Sequence, residues 1–316
     1  TARKSSDLDG NYCINVASNK HLDSGRIRVA VANMQLNEDD ISLVLKQKQK
    51  VSFLRYEDLR QLTTDAKRCE ADMLVLPEAS VPISLLPFLI TFSEKENIAI
   101  VCGIEHVLGG RDQKKVYNLT ATILPYRDTK DEWEFAKLTL HQKVYFSPME
   151  KKTIVDHDYT CAEGSTFELY AWRNIWFPVY CCFELTSIQS RALFQSYADL
   201  IVVPIWNKDV HYYEHIEYSL SRDLTCFCVQ ANNAKYGDSC IIQPDTRVKS
   251  TLLRVKGGVN TTVLAADLNI KKLRDAQVTR SGEKFKPTSP DFNLNIAIMK
   301  NNGSLLDHLK GKDFDM

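Results

Sequence analysis

Residues 174–204 read NIWFPVYCCFELTSIQSRALFQSYADLIVVP. Two apolar runs, IWFPVYCC and DLIVVPIW, bracket a helical segment, TSIQSRALFQSYA. The second run is apolar without alternation, as expected of a strand whose sheet is covered on both faces. Strand, helix and strand in this order predict α/β architecture. The adjacent Cys181 and Cys182 fall where the first run turns into the helix. A vicinal pair alone leaves four roles open: redox couple, metal ligands, inert core residues, or one nucleophile.

The same alternation extends in both directions. Upstream, Ile27, Val29 and Val31 alternate as a strand would, and Leu59, Leu62, Ala66 and Cys69 recur at helical spacing. MLVLPE at 73–78, IAIVCGIEHV at 98–107, YNLTATILP at 117–125 and EWEFAKLTL at 132–140 complete a first set of strands. Downstream come a helix at YYEHIEYSLSRDL and strands at CFCVQANN, SCIIQP and TTVLAADL. Three regions follow: a polar tail or linker over 1–25, a domain over 26–282, and a C-terminal extension over 283–316.

Composition narrows the function classes. Hydrophobic residues make up 44% and charged residues 25% of the 316, ordinary for a globular protein. Lys+Arg and Asp+Glu are both 40, so no net field draws the chain to nucleic acid or to an anionic membrane. No apolar run reaches bilayer-spanning length, and no signal peptide is read at the start. Nine cysteines without a framework point to a reducing, cytoplasmic setting. The sequons at Asn118, Asn260 and Asn302 are then chance matches. The first residue, Thr1, suggests a piece of a longer polypeptide.

Three loops that follow apolar strands carry reactive groups: VLPEAS with Glu78, HQKVYFSPME with Lys143 and Glu150, and YCCFEL. The carboxyl ends of strands form the usual ligand crevice of α/β sheets. A carboxylate, an ammonium and a thiol meeting there would supply base, electrostatic stabiliser and nucleophile. Taken singly, each has a plainer reading: a helix cap, a surface lysine, a small buried hydrophobe.

Together these residues resemble the nitrilase superfamily of carbon–nitrogen hydrolases. Its marks are a Glu in a Pro-Glu turn, a Lys in a K-x-x-x-x-P-x-E loop, and a Cys followed by an aromatic and an acid. Here they are Pro77-Glu78, Lys143 with Pro148 and Glu150, and Cys182-Phe183-Glu184. RALFQSYADLIVVP, with Tyr197 in place of the usual Gly, VQANNAKYGDSCIIQPD and RVAVANMQL extend the likeness across about 26–280. The resemblance implies a four-layer αββα sandwich. It also implies Glu78 as general base and acid, Lys143 as oxyanion stabiliser and Cys182 as nucleophile, with no metal and no cofactor. Glu150, Phe183, Trp206 and Asn207 would bind a small amide, nitrile or N-carbamoyl substrate. Residues 186–197 and 211–224 would form a homodimer seam. A second reading makes the chain an assembly or regulatory domain of a larger protein, for example a reverse transcriptase in phage defence.

Other constellations explain fewer residues. Cys226 and Cys228 share one strand face and read as core, and His211 and His215 lack the H-E-x-x-H pattern of a zinc helix. His141 and His157 are the histidines a Cys–His hydrolase would need. Within the cysteine pair, strand pleating predicts that Cys181 points away from Cys182 and is buried as a small apolar residue.

Overall fold

The computed structural model describes residues 2–4, 12–16, 25–48, 52–112, 114–127, 134–280 and 285–311. Most of the expected 1–25 tail, and residues 283–284 and 312–316 of the extension, therefore lie outside the described residues. Two short strands, β1 (Ala2–Lys4) and β2 (Tyr12–Val16), precede β3 (Arg26–Asn33). Helices α1 (Asp40–Leu45) and α2 (Phe53–Arg68) lead to β4 (Met73–Val75), and α3 (Leu86–Glu96) to β5 (Ala99–Gly109). The long β6 (Lys115–Arg127) and β7 (Glu134–Gln142) follow, then α4 (Pro148–Val155) and β8 (Thr160–Cys161). β9 (Glu168–Trp172) and β10 (Ile175–Pro178) make a hairpin whose turn residues, Arg173 and Asn174, both have positive φ. That two-residue turn matches the twist of its strands.

The second half continues with α5 (Ile188–Ala192), β11 (Leu200–Pro204), α6 (Val210–Leu224), β12 (Phe227–Ala231) and β13 (Ser239–Ile242). Then come α7 (Arg247–Ser250), β14 (Thr251–Val255) and β15 (Thr262–Asn269). Helices α8 (Ile270–Thr279), α9 (Leu294–Asn301) and α10 (Leu305–Gly311) close the described chain. None of the described helices is long and apolar enough to cross a membrane.

One sheet runs β15-β3-β4-β5-β6-β7; β11-β12-β13-β14 and β1-β2-β9-β10 form the others, joined by a bridge from Val179 to Val202. Burial shows how the layers stack. Ile27, Val29 and Val31 of β3 meet Leu200 and Val202 of β11 in a core between sheets. Ala30 and Ala32 face the opposite way, onto Leu59, Leu62 and Ala66 of α2. Ile201 and Val203 likewise turn outward onto Tyr213, Ile216 and Leu220 of α6. Each unbroken apolar strand thus feeds two cores, and helix, sheet, sheet and helix form the four expected layers.

Two features differ from the sequence reading. The polar first 25 residues contribute backbone to a sheet: β2 pairs in parallel with β9, Tyr12 opposite Glu168. The C-terminal segment is not external to the core either. Lys300 of α9 is fully buried, with Nζ 3.0 Å from Asp199 Oδ1. Arg274 of α8 binds both oxygens of the same carboxylate at 3.0 and 2.7 Å, and the Trp176 N–H donates to it at 2.9 Å. Burial opposes Asp199 ionisation, but Arg274 and Lys300 outweigh it and hold its pKa below the usual range.

Candidate active site

Glu78 is placed by a ladder that stops. Leu76 N–H still reaches Val101 at 2.8 Å, and Pro77 then has no N–H to continue it. Ala79 adopts φ 51, and the turn presses onto Gly103 of β5. A Cβ at 103 would stand 2.4 Å from both Glu78 Cα and Ala79 N, so only glycine fits. Gly103 also donates to Pro77 O at 3.1 Å and accepts from Ser80 N–H at 2.9 Å, which fixes where the carboxylate points.

Lys143 follows β7 directly, its own N–H bound to Asn118 O at 3.0 Å. Its ammonium donates at 2.7 Å to Glu78 Oε1 and at 2.7 Å to Glu150 Oε2. Glu150 lies in the first turn of α4, where Ser147 caps its N–H at 3.2 Å and Pro148 starts the helix. Asn118 Nδ2 ties the two carboxylates together, at 2.8 Å from Glu78 Oε1 and 2.7 Å from Glu150 Oε1. His106 Nε2 reaches Glu150 Oε1 at 2.9 Å. Burial opposes the Lys143 charge, yet Glu150 and Glu78 outweigh it and raise its pKa well above the ordinary value. Burial likewise opposes the Glu150 charge, and Lys143 and His106 overcome it and lower its pKa.

The cysteine turn departs from the pleat. Strand β10 ends at Pro178, and Cys181 is extended while Cys182 takes φ 47 and opens a 3₁₀ turn, Cys182–Thr186. The period-two argument fails three residues beyond the strand. Cys181 Sγ therefore does not point away: it donates to Glu78 Oε1 at 3.4 Å and faces Asn118 Oδ1 at 3.7 Å. Cys182 Sγ lies 3.9 Å from Trp206 O and 3.8 Å from the Tyr213 hydroxyl. Both thiols are free, and burial, reinforced by Glu78, raises the pKa of each.

A buried histidine joins the lysine loop to the cysteine turn. Glu184 accepts from Val144 N–H at 2.5 Å and Cys181 N–H at 2.6 Å, and both its oxygens lie 3.0 Å from His141 Nε2. His141 Nδ1 is 2.7 Å from Glu168 Oε2. Burial disfavours the imidazolium, but Glu184 and Glu168 raise its pKa from 6.5 to about 10. A raised folded-state pKa means the stabilisation is complete below about 6.5 and lost as pH rises through about 10. Breaking such a buried pair costs roughly 3–5 kcal/mol. His141→Gln should therefore lower Tm at pH 6 more than at pH 10. Equal loss at both pH values would refute the charged pairing.

The structure brings Glu78, Lys143 and Glu150 together and sets Cys182 against Trp206; the Phe183 side chain instead lines a hollow with Tyr145, Phe146 and Lys151. Asn207 is held beside Trp206 by Asn232, whose side chain accepts from Asn207 N–H and donates to Asn207 O, each at 3.0 Å. Asn118, His106 and Tyr213 were missed. The Asn118 sequon is fully buried between two carboxylates, and no local pattern marks that use. His157 bonds locally, to Thr153 O at 2.9 Å. Cys226 and Cys228 share one apolar core with α6, and His211 is 89% exposed. Among the described residues no group of three or more His, Cys, Asp or Glu is arranged to hold a metal.

Comparison with known proteins identifies the family. The sequence model of the carbon–nitrogen hydrolase family matches residues 28–277, and the chain belongs to that family, within the nitrilase superfamily. Similar structures include Saccharomyces cerevisiae Nit3, a nitrilase-superfamily member, at 17% identity and TM-score 0.58, covering 85% of this chain and all of that one. The C. elegans NitFhit protein matches at 14% identity and TM-score 0.60, over 80% of this chain and 63% of its own. A variant amidase from Nesterenkonia sp., with the acetamide moiety of fluoroacetamide covalently added at its active-site cysteine, matches at 14% identity and TM-score 0.51. It covers 81% of this chain and 95% of that one. A comparison with curated proteins by sequence returned no match.

Proposed function

We propose that the chain hydrolyses a non-peptide carbon–nitrogen bond of a small amide, nitrile or N-carbamoyl compound through a thioester on Cys182. One observation carries this reading: Glu78, Lys143 and Glu150 form a hydrogen-bonded row of buried charges beside a cysteine at a positive-φ turn. With its pKa raised by burial, the Cys182 thiol is protonated at neutral pH and needs a base. Glu78 Oε1 already takes Lys143, Asn118 and Cys181, which leaves Oε2 to accept the proton.

For an amide, the sulfur attacks the carbonyl carbon, and charge develops on its oxygen. Lys143 and the Phe183 N–H, at the amino end of the 3₁₀ turn, stabilise that oxyanion, each such donor worth roughly 3 kcal/mol. The C–N bond breaks as Glu78 returns its proton to the departing amine, leaving an acyl thioester. Water then gives a proton to Glu78 and attacks the thioester. The C–S bond breaks, and the thiol recovers its proton. Glu150, held by Lys143 and His106, orients the substrate with Trp206 and Asn207. The α5 and α6 helices carry the exposed Ile188 and Tyr212, which suit the homodimer seam; sedimentation of a Tyr212→Glu variant as the same species as wild type would count against it.

Fluoroacetamide tests the nucleophile. Attack of the Cys182 sulfur on the CH₂ carbon expels fluoride and leaves a carbamoylmethyl thioether, located by peptide mass mapping. Label on Cys181, or none on Cys182 while iodoacetamide still reaches it, would overturn the mechanism.

A further inference from the structure

We propose that Tyr213 is a catalytic residue, its hydroxyl hydrogen-bonding the sulfur of Cys182 and stabilising the thiolate once the proton has left. The proposal rests on Cys182 being the nucleophile. Tyr213 lies in the first turns of α6, which Asp209 caps by accepting from Tyr212 N–H at 3.2 Å. Its ring is packed into the core between α6 and the outer sheet and is only 1% exposed. The hydroxyl at its tip ends 3.8 Å from Cys182 Sγ, in the range of a sulfur hydrogen bond.

The neighbours of the sulfur differ in what they can do. The Trp206 carbonyl, 3.9 Å away, can only accept, so it suits the neutral thiol. Glu78, as the base, carries that proton and is neutral once the thiolate forms. A tyrosine hydroxyl can accept from S–H and then rotate to donate to S⁻. Tyr213 therefore adds to Lys143 a second group that gains when the proton leaves. Asn207, next to Trp206, acts on the same hydroxyl and favours its ionised form, against the effect of burial and of Cys182. A phenol buried among Tyr180, Phe194, Ile216 and Leu220 would otherwise be an apolar position for phenylalanine.

The test is the pH dependence of iodoacetamide alkylation in the whole protein, with the labelled cysteine identified by peptide mapping. Tyr213→Phe should move the inflection for Cys182 upward by about one pH unit, the scale of one hydrogen bond to an ionised group. Tm should be little changed. Label on Cys182 with the same inflection as wild type would overturn the role of Tyr213 and leave the nucleophile standing. Failure of Cys182 to be labelled in wild type, with label elsewhere, would overturn the nucleophile and the proposal with it. If Tyr213→Phe does not fold, Tyr213→Leu removes the same hydroxyl and is read the same way.

Discussion

Replacing Cys182 by alanine is expected to lower kcat/KM by roughly 10³-fold or more, while Cys181→Val leaves activity within about tenfold of wild type. The contrast matters because Cys181 is the thiol bonded to Glu78 while Glu78 raises the pKa of both, so proximity to the base does not pick out the nucleophile. Access does. Cys181 has no exposed surface, whereas Cys182 keeps 5% and stands at the start of the 3₁₀ turn, beside the Phe183 N–H. A carbonyl bound to that N–H can be reached from Cys182 and not from a side chain packed behind it. The folding cost of either substitution should stay near 1 kcal/mol, because each removes little volume or keeps it apolar. Tm therefore checks that lost activity is chemical. The opposite ranking of the two variants would reassign the nucleophile.

Lys143→Met is expected to harm both stability and turnover. The ammonium sits between Glu78 and Glu150, 2.7 Å from each, and Asn118 alone would then join two buried carboxylates. Removing one partner of such a set costs roughly 3–5 kcal/mol at neutral pH. The deficit should shrink on acidification, because protonating one carboxylate relieves the repulsion. Wild type behaves in the opposite sense. Lys143 and His106 depress the Glu150 pKa, so that contribution is present above the ordinary carboxylate range and fades as pH falls below it. Turnover of any short amide accepted by wild type should fall roughly 10²–10³-fold. Unfolding midpoints from pH 4 to pH 8 check the first expectation. A deficit constant across that range would show that the charge row is not what holds the loops.

The layers were legible because they depend on local pattern. LIVVP reads as a strand covered on both faces, and Leu200 and Val202 do enter one core while Ile201 and Val203 enter the other. The motif residues were legible for a similar reason, since each loop carries its own signature. What could not be read depends on distant chain or on where a strand stops. The helix after the cysteines, expected over 186–198, is a 3₁₀ turn to Thr186 and then only Ile188–Ala192. Ser187 is extended and caps the short helix, and Ser196 takes φ 69, so neither end can continue. Cys181 is buried as expected, but its direction was misread because alternation holds only inside a paired strand. Asn118, His106 and Tyr213 reach the site from a strand interior, a break in strand register and a helix face, where nothing in the neighbouring residues announces chemistry. Lys300 reads as an ordinary charge in IAIMKN until Asp199, far earlier in the chain, is placed against it.

That last pairing bears on how the protein can be cut. A fragment ending at residue 282, the border suggested by the loss of strand and helix alternation, would keep Arg274 and lose Lys300. Asp199, at the foot of the strand that delivers Trp206 to the thiol, would then lose one of its two cations and the α9 helix over it. The smallest fragment worth expressing therefore runs past Lys300. A comparison of soluble yield and Tm for fragments ending at 282 and at 311 would show whether this ion pair, rather than the periodicity of the sequence, sets the border of the folding unit.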